Sequence, residues 1–450
     1  MQFNELREKY PEFHYHGSTI EETKSQLKVV YHFEIVGLQS FYPSYVFPKK
    51  DETMMAQTEV VKNLIFSLGL VELVSYWKVT CSPQVIVHEA MLTEVQKAWW
   101  KKLYFHGLGE FFYTNSIDIS QDEMMEIISF GEVLKGESFE LHLQGNLIPV
   151  GGGKDSFVTL ELLKEMKEEN CTFVINGVKS ALRAVEAAGY RNQHIQVERK
   201  LDSHLFELNK QGFLNGHTPF SAMVAFASVL AAVLWGKKYV CLSNESSANE
   251  STIKDEAVNH QYSKSYEFEK DFKEYLNEFI FQEVHYFSLL RCLSELQIAS
   301  IFSTLKSYLP VFKSCNVGSK DGVWCGHCAK CLFVYVLLSA FLEDSELMEI
   351  FGENLLEKES LKITLMELCG AVENKPFECV GTREEVQVAM SMAISKRGEV
   401  LPLLYKQAQT WNILVDINDI EKYRQEFNEE NLIPEQYISA IKEKVRRCWK

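Results

Sequence analysis

Two stretches of this 450-residue chain hold residue types spaced for chemistry. The first, Leu147 to Glu165, reads LIPVGGGKDSFVTLELLKE. Gly151, Gly152 and Gly153 lie between an apolar run and a helical pattern, directly before Lys154, Asp155 and Ser156. Glycines let backbone N–H groups approach an anion, and a helix N-terminus adds donors and a positive dipole end. Lys154 contributes a point charge and Ser156 a hydroxyl. Asp155, in the first helical turn, is of a type that holds magnesium or orients phosphates. The pattern points to phosphate binding, with a ligand-free glycine-rich turn as the simpler alternative. It is not a Walker loop, because Asp155 rather than Ser or Thr follows the lysine, and Ile148 and Pro149 fill the upstream region.

The second stretch, CNVGSKDGVWCGHCAKC, contains Cys315, Cys325, Cys328 and Cys331. Two overlapping C-x-x-C steps and a fourth cysteine upstream suit one tetrahedral ion held by thiolates. A full set of protein ligands leaves no place for a reactive water, so structural Zn2+ is the expected occupant. Gly326 eases the turn between Cys325 and Cys328, and Lys330 places positive charge near the thiolates. Redox chemistry and scattered core cysteines are the alternatives, and His327 ranks below the four thiols as a ligand.

Three polar stretches have looser signals. LNGHTPFS (Leu214–Ser221) precedes an apolar helix, LSNESSANES (Leu242–Ser251) follows a strand, and VNHQYSKSYEFE (Val258–Glu269) comes next. Asn244, Glu245 and Asn249 are candidates for binding nucleotide, magnesium or substrate, against ordinary capping and turn chemistry. His217 and Lys264 are candidate proton acceptors. His217, just before a helix, also reads as a cap or core residue, and Lys264 and His260 as solvent-facing.

The elements that must position these groups follow from the hydrophobic rhythm. Residues 1–140 mix β-like runs (VVYHFEIVGL, QVIVHEA) with a helical pattern (TEVQKAWWKKLYF), an α+β domain and a candidate for substrate binding. From residue 141 to 312, strands NLIPV, CTFVING, HIQVERKL and KYVCLSN alternate with helices. That alternation predicts an α/β, doubly wound parallel sheet, with GGGKDS at its carboxyl edge, where such folds bind ligands. Residues 313–342 form the four-cysteine element and residues 343–450 a helical region, in which Thr382 and Glu385 fit a capping box.

Composition sets outer limits. Hydrophobic content of 46% and charged content of 24% are those of a folded globular chain. A net charge of -16 argues against a nucleic-acid partner. The polar start MQFNELREKYPEF lacks a signal-peptide core. Phe220–Trp235 is the most membrane-like run but falls short of the ~20 apolar residues a span needs. Thr218 as N-cap, Pro219 as first helical residue and Gly236 as stop make it a buried helix, so no membrane contact is expected. Eleven cysteines without an export signal imply a reducing, cytoplasmic setting.

GGGKDS resembles the Ser-Gly-Gly-x-Asp-Ser loop of the PP-loop ATP pyrophosphatase superfamily, the adenine nucleotide alpha hydrolase-like fold, which cuts ATP between its α- and β-phosphates. Gly151 stands where that family has its first serine, so one side-chain contact is lost. Together with LNGHTPFSA, SNESSANES, VNHQYSKSYEFE, the cysteine run, FHGLGEFFYTN (Phe105–Asn115) and PFECVGTREE (Pro376–Glu385), the chain resembles the ATP-dependent UDP-N-acetylmuramoyl-L-alanyl-L-glutamate epimerases of bacterial peptidoglycan synthesis. The resemblance implies ATP and Mg2+ as cofactors and UDP-MurNAc-L-Ala-L-Glu as substrate. It also implies inversion of the terminal L-glutamate through an acyl-adenylate, with release of AMP and pyrophosphate. A 7-cyano-7-deazaguanine synthase shares both strongest motifs but is much shorter. A tRNA-modifying PP-loop enzyme would need a basic RNA path, and a non-catalytic nucleotide-binding protein would not release AMP with substrate.

Overall fold

The computed structural model describes residues 2–50, 58–134, 136, 142–249, 262–318, 321–373, 375, 376, 378, 380–416 and 420–449. His260 lies outside them. The chain is mixed α/β and divides into two compact units, each drawn from separated segments. The first comprises residues 1–147, 195–240 and 260–286, and the second residues 148–194, 241–259 and 287–450.

The first unit opens with β1 (Glu12–Glu22), β2 (Gln26–Ile35), β3 (Gln39–Phe41) and β4 (Ser44–Pro48). These pair antiparallel as β1·β2, β2·β3 and β2·β4. Along β2, Leu27, Val29, Tyr31, Phe33 and Ile35 are buried while the residues between them are not, the alternation of a sheet covered on one face. β5 (Gln84–Val87) joins parallel to β1, and β7 (Glu126–Ser129) parallel to β5, while β6 (Ala90–Met91) and β8 (Glu132–Val133) form a separate parallel pair.

The covering helix is Glu59–Trp77. Its 19 residues are long and apolar enough to cross a membrane, yet 94% of its most apolar window is buried inside the protein. It is a core helix. Gly69 lets it approach the sheet: a Cβ there would lie 2.3 Å from the Tyr15 hydroxyl. Phe220–Leu234 packs against it. Here the expected cap shifts by one residue. Pro219, at φ −71 and ψ 69, is the cap itself, and the helix begins at Phe220. Thr218 does not cap because its carbonyl closes a tight turn onto Phe220 N at 2.7 Å, and its hydroxyl faces Lys78 Nζ at 3.4 Å. Gly236, at φ +65, ends the helix as expected.

The remaining strands are β9 (Asn146–Pro149), β10 (Asn170–Ile175), β11 (His194–Lys200), β12 (Tyr239–Leu242) and β13 (His285–Ser288). β12 runs parallel to β9, as the strand–helix alternation predicts. β11 differs from the expected parallel array, pairing antiparallel with β4 through Glu198↔Val46 and Arg199↔Tyr45. Its composition explains this. Only Ile195 and Val197 are fully buried, whereas a central parallel strand is apolar on both faces. The buried Glu72 carboxylate fixes the register, accepting two Arg199 hydrogen bonds at 2.8 Å and one from the Tyr45 hydroxyl at 2.6 Å.

In the second unit, β9 ends at the glycine loop, from which helix Lys154–Leu162 starts. Val150 N bonds to Phe173 O at 2.9 Å, tying the loop entrance to β10. Past residue 343 the described elements are all helical, and Ala329–Ser339 is buried along its whole length. Thr382 and Glu385 form the expected capping box at the head of Arg383–Arg397.

Candidate functional site

GGGKDS sits at the strand-to-helix junction. Gly152 adopts φ +87 and approaches the neighbouring backbone so closely that a Cβ would meet the Ser180 carbonyl carbon at 2.4 Å. Only glycine fits there. A Cβ on Gly153 would meet the Ser314 hydroxyl at 2.8 Å, whereas one on Gly151 would have only Ser156 Oγ near it, at 3.9 Å. The loop's polar groups are also tied to nearby serine hydroxyls. Gly151 N donates to Ser156 Oγ at 3.0 Å, Lys154 N to Ser314 Oγ at 3.3 Å, and Ser180 Oγ to Gly151 O at 3.3 Å.

Lys154 is fully buried and turned away from solvent. Its ammonium pairs with Asp155 Oδ1 at 2.5 Å and with the Glu295 carboxylate. Burial alone would lower its pKa, but attraction from Asp155, then Glu295, then Glu245 holds it above the ordinary lysine range. Burial pushes the Glu295 carboxyl up, and Lys154 only partly offsets the shift. Lys154 therefore keeps its proton, and Glu295 is the member whose charge is harder to hold. Glu295 N donates to Glu385 Oε1 at 2.7 Å, so the PFECVGTREE segment reaches the same cluster.

Asn244 and Glu245 follow β12. Asn244 Nδ2 donates to Ser288 Oγ at 3.0 Å, and the buried Arg291 donates to Glu245 O at 2.6 Å. Asp155 and Glu245 are both partly exposed; Asp155 and Glu295 pair directly with the ammonium, and Glu245 adds a weaker attraction. Glu295, Glu385, Arg291, Ser180 and Ser314 complete this constellation, and sequence reasoning singled out none of them as ligand-site residues. Ser294 with Gln297, a capping box in which Glu295 is the first helical residue, was the available signal.

The four cysteines converge. One sulfur from each of Cys315, Cys325, Cys328 and Cys331 lies within 4.8 Å of all the others. The separations are 3.9 Å for Cys315–Cys328, 3.7 Å for Cys325–Cys331 and 3.5 Å for Cys328–Cys331. Tetrahedral coordination with metal–sulfur bonds of ~2.3 Å needs sulfurs about 3.8 Å apart, so the donor set fits one ion. Gly326 takes φ +70 in the connecting turn. Cys328 caps helix Ala329–Ser339, accepting from Cys331 N at 3.4 Å. Hydrogen bonding with Cys331 pulls its pKa down to about 4. His327 is exposed, and its Nδ1 faces Cys325 O at 2.8 Å rather than the sulfurs. Lys330 is buried beside the cluster, and its charge also attracts Glu295 and Glu378.

The two candidate proton acceptors belong to the first unit, while the glycine loop belongs to the second. His217 Nδ1 lies 3.3 Å from Glu110 Oε2. Glu110 comes from the FHGLGEFFYTN stretch, and Asn115 of that stretch donates to Asn215 O at 3.1 Å. Lys264 ends the turn Tyr262–Lys264, which packs on helix Phe220–Leu234, the helix that His217 precedes.

Two family models match the chain in order, and the first spans segments of both units. The MurL N-terminal domain family matches residues 4–289, and the MurL C-terminal domain family residues 311–408. A Xanthomonas oryzae pv. oryzae protein named UDP-N-acetyl-alpha-D-muramoyl-L-alanyl-L-glutamate epimerase is 34% identical over 349 residues, 76% of each chain. A Micromonospora protein of the same name is 35% identical over 351 residues, 77% of each chain. One from Salinispora tropica is 34% identical over 359 residues, covering 78% of this chain and 76% of its own. No solved structure matches significantly. With both domains matched in order, the chain belongs to the MurL family of UDP-N-acetyl-alpha-D-muramoyl-L-alanyl-L-glutamate epimerases.

Proposed function

We propose that this protein inverts the terminal L-glutamate of UDP-MurNAc-L-Ala-L-Glu to D-glutamate, consuming ATP with Mg2+ and releasing AMP and pyrophosphate. The activity is that of an isomerase serving peptidoglycan precursor synthesis in the cytoplasm. Family membership carries the substrate assignment.

The reaction has a physical reason to need ATP. Removing the α-proton beside a free carboxylate would put two negative charges on one small unit. Adenylation displaces pyrophosphate and removes the charge from the carboxyl group itself, so an enolate can share the developing charge. Reprotonation on the other face inverts the centre, and water then cleaves the anhydride to release AMP. The crowded glycines and the helix start support assigning the loop to the phosphates. Phosphate oxygens would take the loop N–H groups that Ser156 and Ser314 hydroxyls now accept.

Asp155 and Glu245 are the residues that would hold magnesium. Glu295 offsets the Lys154 charge in the interior, which leaves the partly exposed Asp155 and Glu245 carboxylates to face a divalent cation. Mg2+ supplies neutralisation of the leaving pyrophosphate. Lys154, enclosed between Asp155 and Glu295, would keep the Asp155 carboxylate oriented. Asn244 is assigned to nucleotide binding beside Glu245. The four thiolates would hold structural Zn2+, anchoring the start of helix Ala329–Ser339 to the segment at Cys315.

For proton transfer, His217 is assigned as the base, because Glu110 stands where it orients the imidazole and steadies an imidazolium. Lys264 is the second candidate.

The deciding experiment incubates the protein with ATP, magnesium and UDP-MurNAc-L-Ala-L-Glu in heavy water. D-glutamate carrying α-deuterium, with AMP and pyrophosphate, is expected. AMP without inversion would retain the adenylating chemistry and remove the epimerase assignment. Undiminished α-deuterium uptake in H217N would remove His217 as sole base.

A further inference from the structure

Away from the glycine loop and the cysteines, the first unit gathers imidazoles on the side of β1 opposite its core. His14 and His16 alternate with the buried Phe13 and Tyr15, so both rings leave the sheet on the more exposed side. β1 and β5 run parallel through Tyr15↔Val87, which brings His88, the residue after β5, alongside. His88 N bonds to Tyr15 O at 2.9 Å and fixes that position.

One ring nitrogen of each of His14, His16 and His88 lies within 4.8 Å of the other two. His88 Nε2 faces His14 Nδ1 at 3.0 Å. That separation suits two nitrogens bound cis to one ion at ~2.1 Å each. Each strand imidazole also has a carboxylate behind it. His14 Nε2 meets Glu12 Oε2 at 3.1 Å, and His16 Nε2 meets Glu34 Oε2 at 2.7 Å. Carboxylates placed this way fix ring orientation and raise ligand basicity, the usual support of a metal-bound histidine. His32, whose ring centroid is 4.4 Å from that of His16, extends the cluster across β2.

We propose that His14, His16 and His88 form a second metal site, separate from the thiolate centre, for a first-row divalent transition ion of the zinc, cobalt or nickel class. Imidazole donors select such ions over magnesium, which prefers oxygen ligands. Three protein ligands leave the remaining positions open to water or an outside ligand. The ion would bridge β1 to the residue after β5, replacing the hydrogen bond between His14 and His88.

The test uses the full chain with its thiolate site first filled by one equivalent of zinc. Cobalt(II) is then titrated in, followed by absorption and bound-metal analysis. A further equivalent with d–d bands and no thiolate charge transfer is expected. H16Q and H88Q should each weaken that step at least about 10-fold, and E34Q by a comparable factor, while melting stays near that of the parent. H204Q, an exposed histidine outside the cluster, should change nothing. Failure of the parent protein to take up the added equivalent overturns the proposal. So does equal uptake in H16Q and H88Q, or equal loss in H204Q, which would mark scattered surface binding.

Discussion

Lys154 and Glu295 form an ion pair closed to solvent, with side chains 0% and 1% exposed. Lys154, which reads from its motif as a phosphate contact, is held in the interior here, and Asp155 pairs with it at 2.5 Å. Removing one partner leaves an unmatched buried charge, which costs about 3–5 kcal/mol. K154A should therefore melt well below the parent in thermal denaturation. The double variant K154M/E295M should recover much of that loss, because an apolar pair of similar volume carries no uncompensated charge. D155A leaves Lys154 its buried Glu295 partner, so it should lose less stability than K154A, stay folded and lose AMP formation. Normal turnover in a folded D155A would contradict its assignment, and a parental melting point for K154A would contradict the buried pair.

The loop glycines divide by geometry. Gly152 combines φ +87 with a Cβ position 2.4 Å from Ser180 backbone. G152A should lose at least about 1–2 kcal/mol from the left-handed conformation alone, and more from the clash. Gly151 has neither obstacle, since its nearest neighbour would be Ser156 Oγ at 3.9 Å. G151S should fold with parental stability and add a hydroxyl at the loop, lowering the KM for ATP. Equal destabilisation by both substitutions would refute the distinction.

Much of this architecture was legible because it rests on local signals. Thr93 with Gln96 and Thr382 with Glu385 are capping boxes, and both helices start where those pairs stand. Cys315 to Cys331 lie close in sequence, so spacing alone brought them together. What escaped depends on long-range pairing. Glu295 meets Lys154 across 141 positions, and His88 meets His14 across 74. No periodicity encodes such meetings. The antiparallel turn of β11 onto β4 was encoded in the alternation of HIQVERK, but a buried Glu72 under Arg199 and Tyr45 cannot be read from either strand.

His194 makes a pH-dependent contribution. Its Nδ1 lies 3.1 Å from Thr172 Oγ1, and its buried Nε2 has no hydrogen-bond partner among the described residues. Burial holds its pKa below the ordinary histidine value. In the unfolded chain the same group titrates near ~6.5. As pH falls, the unfolded state takes up the proton first, so stability present above about pH 6.5 is lost as the pH drops through the folded value. H194Q should show a smaller fall in melting temperature between pH 7.5 and 5.5 than the parent, with the slope due to other histidines of lowered pKa, such as His106, remaining. An unchanged slope would remove His194 from the account.

The thiolate centre offers a sharper contrast, because buried cysteines occur both inside and outside it. Cys328 is at once a sulfur of the cluster and the cap of helix Ala329–Ser339. C328S retains a capping oxygen, so any loss beyond a cap change reports the ion. Binding energy of a structural metal is folding energy, and an incomplete ligand set forfeits it. C328S should therefore lose the tightly held equivalent, and its melting temperature should fall to that of the chelator-treated parent. Cys369 is equally buried but sits at the end of helix Lys362–Cys369, outside the four-sulfur cluster. C369S should keep its metal, with only the modest penalty of a polar group in an apolar place. Metal analysis beside thermal denaturation separates the cases. Retained metal in C328S, or metal lost from C369S, would mean that the four sulfurs do not form the ion's ligand set.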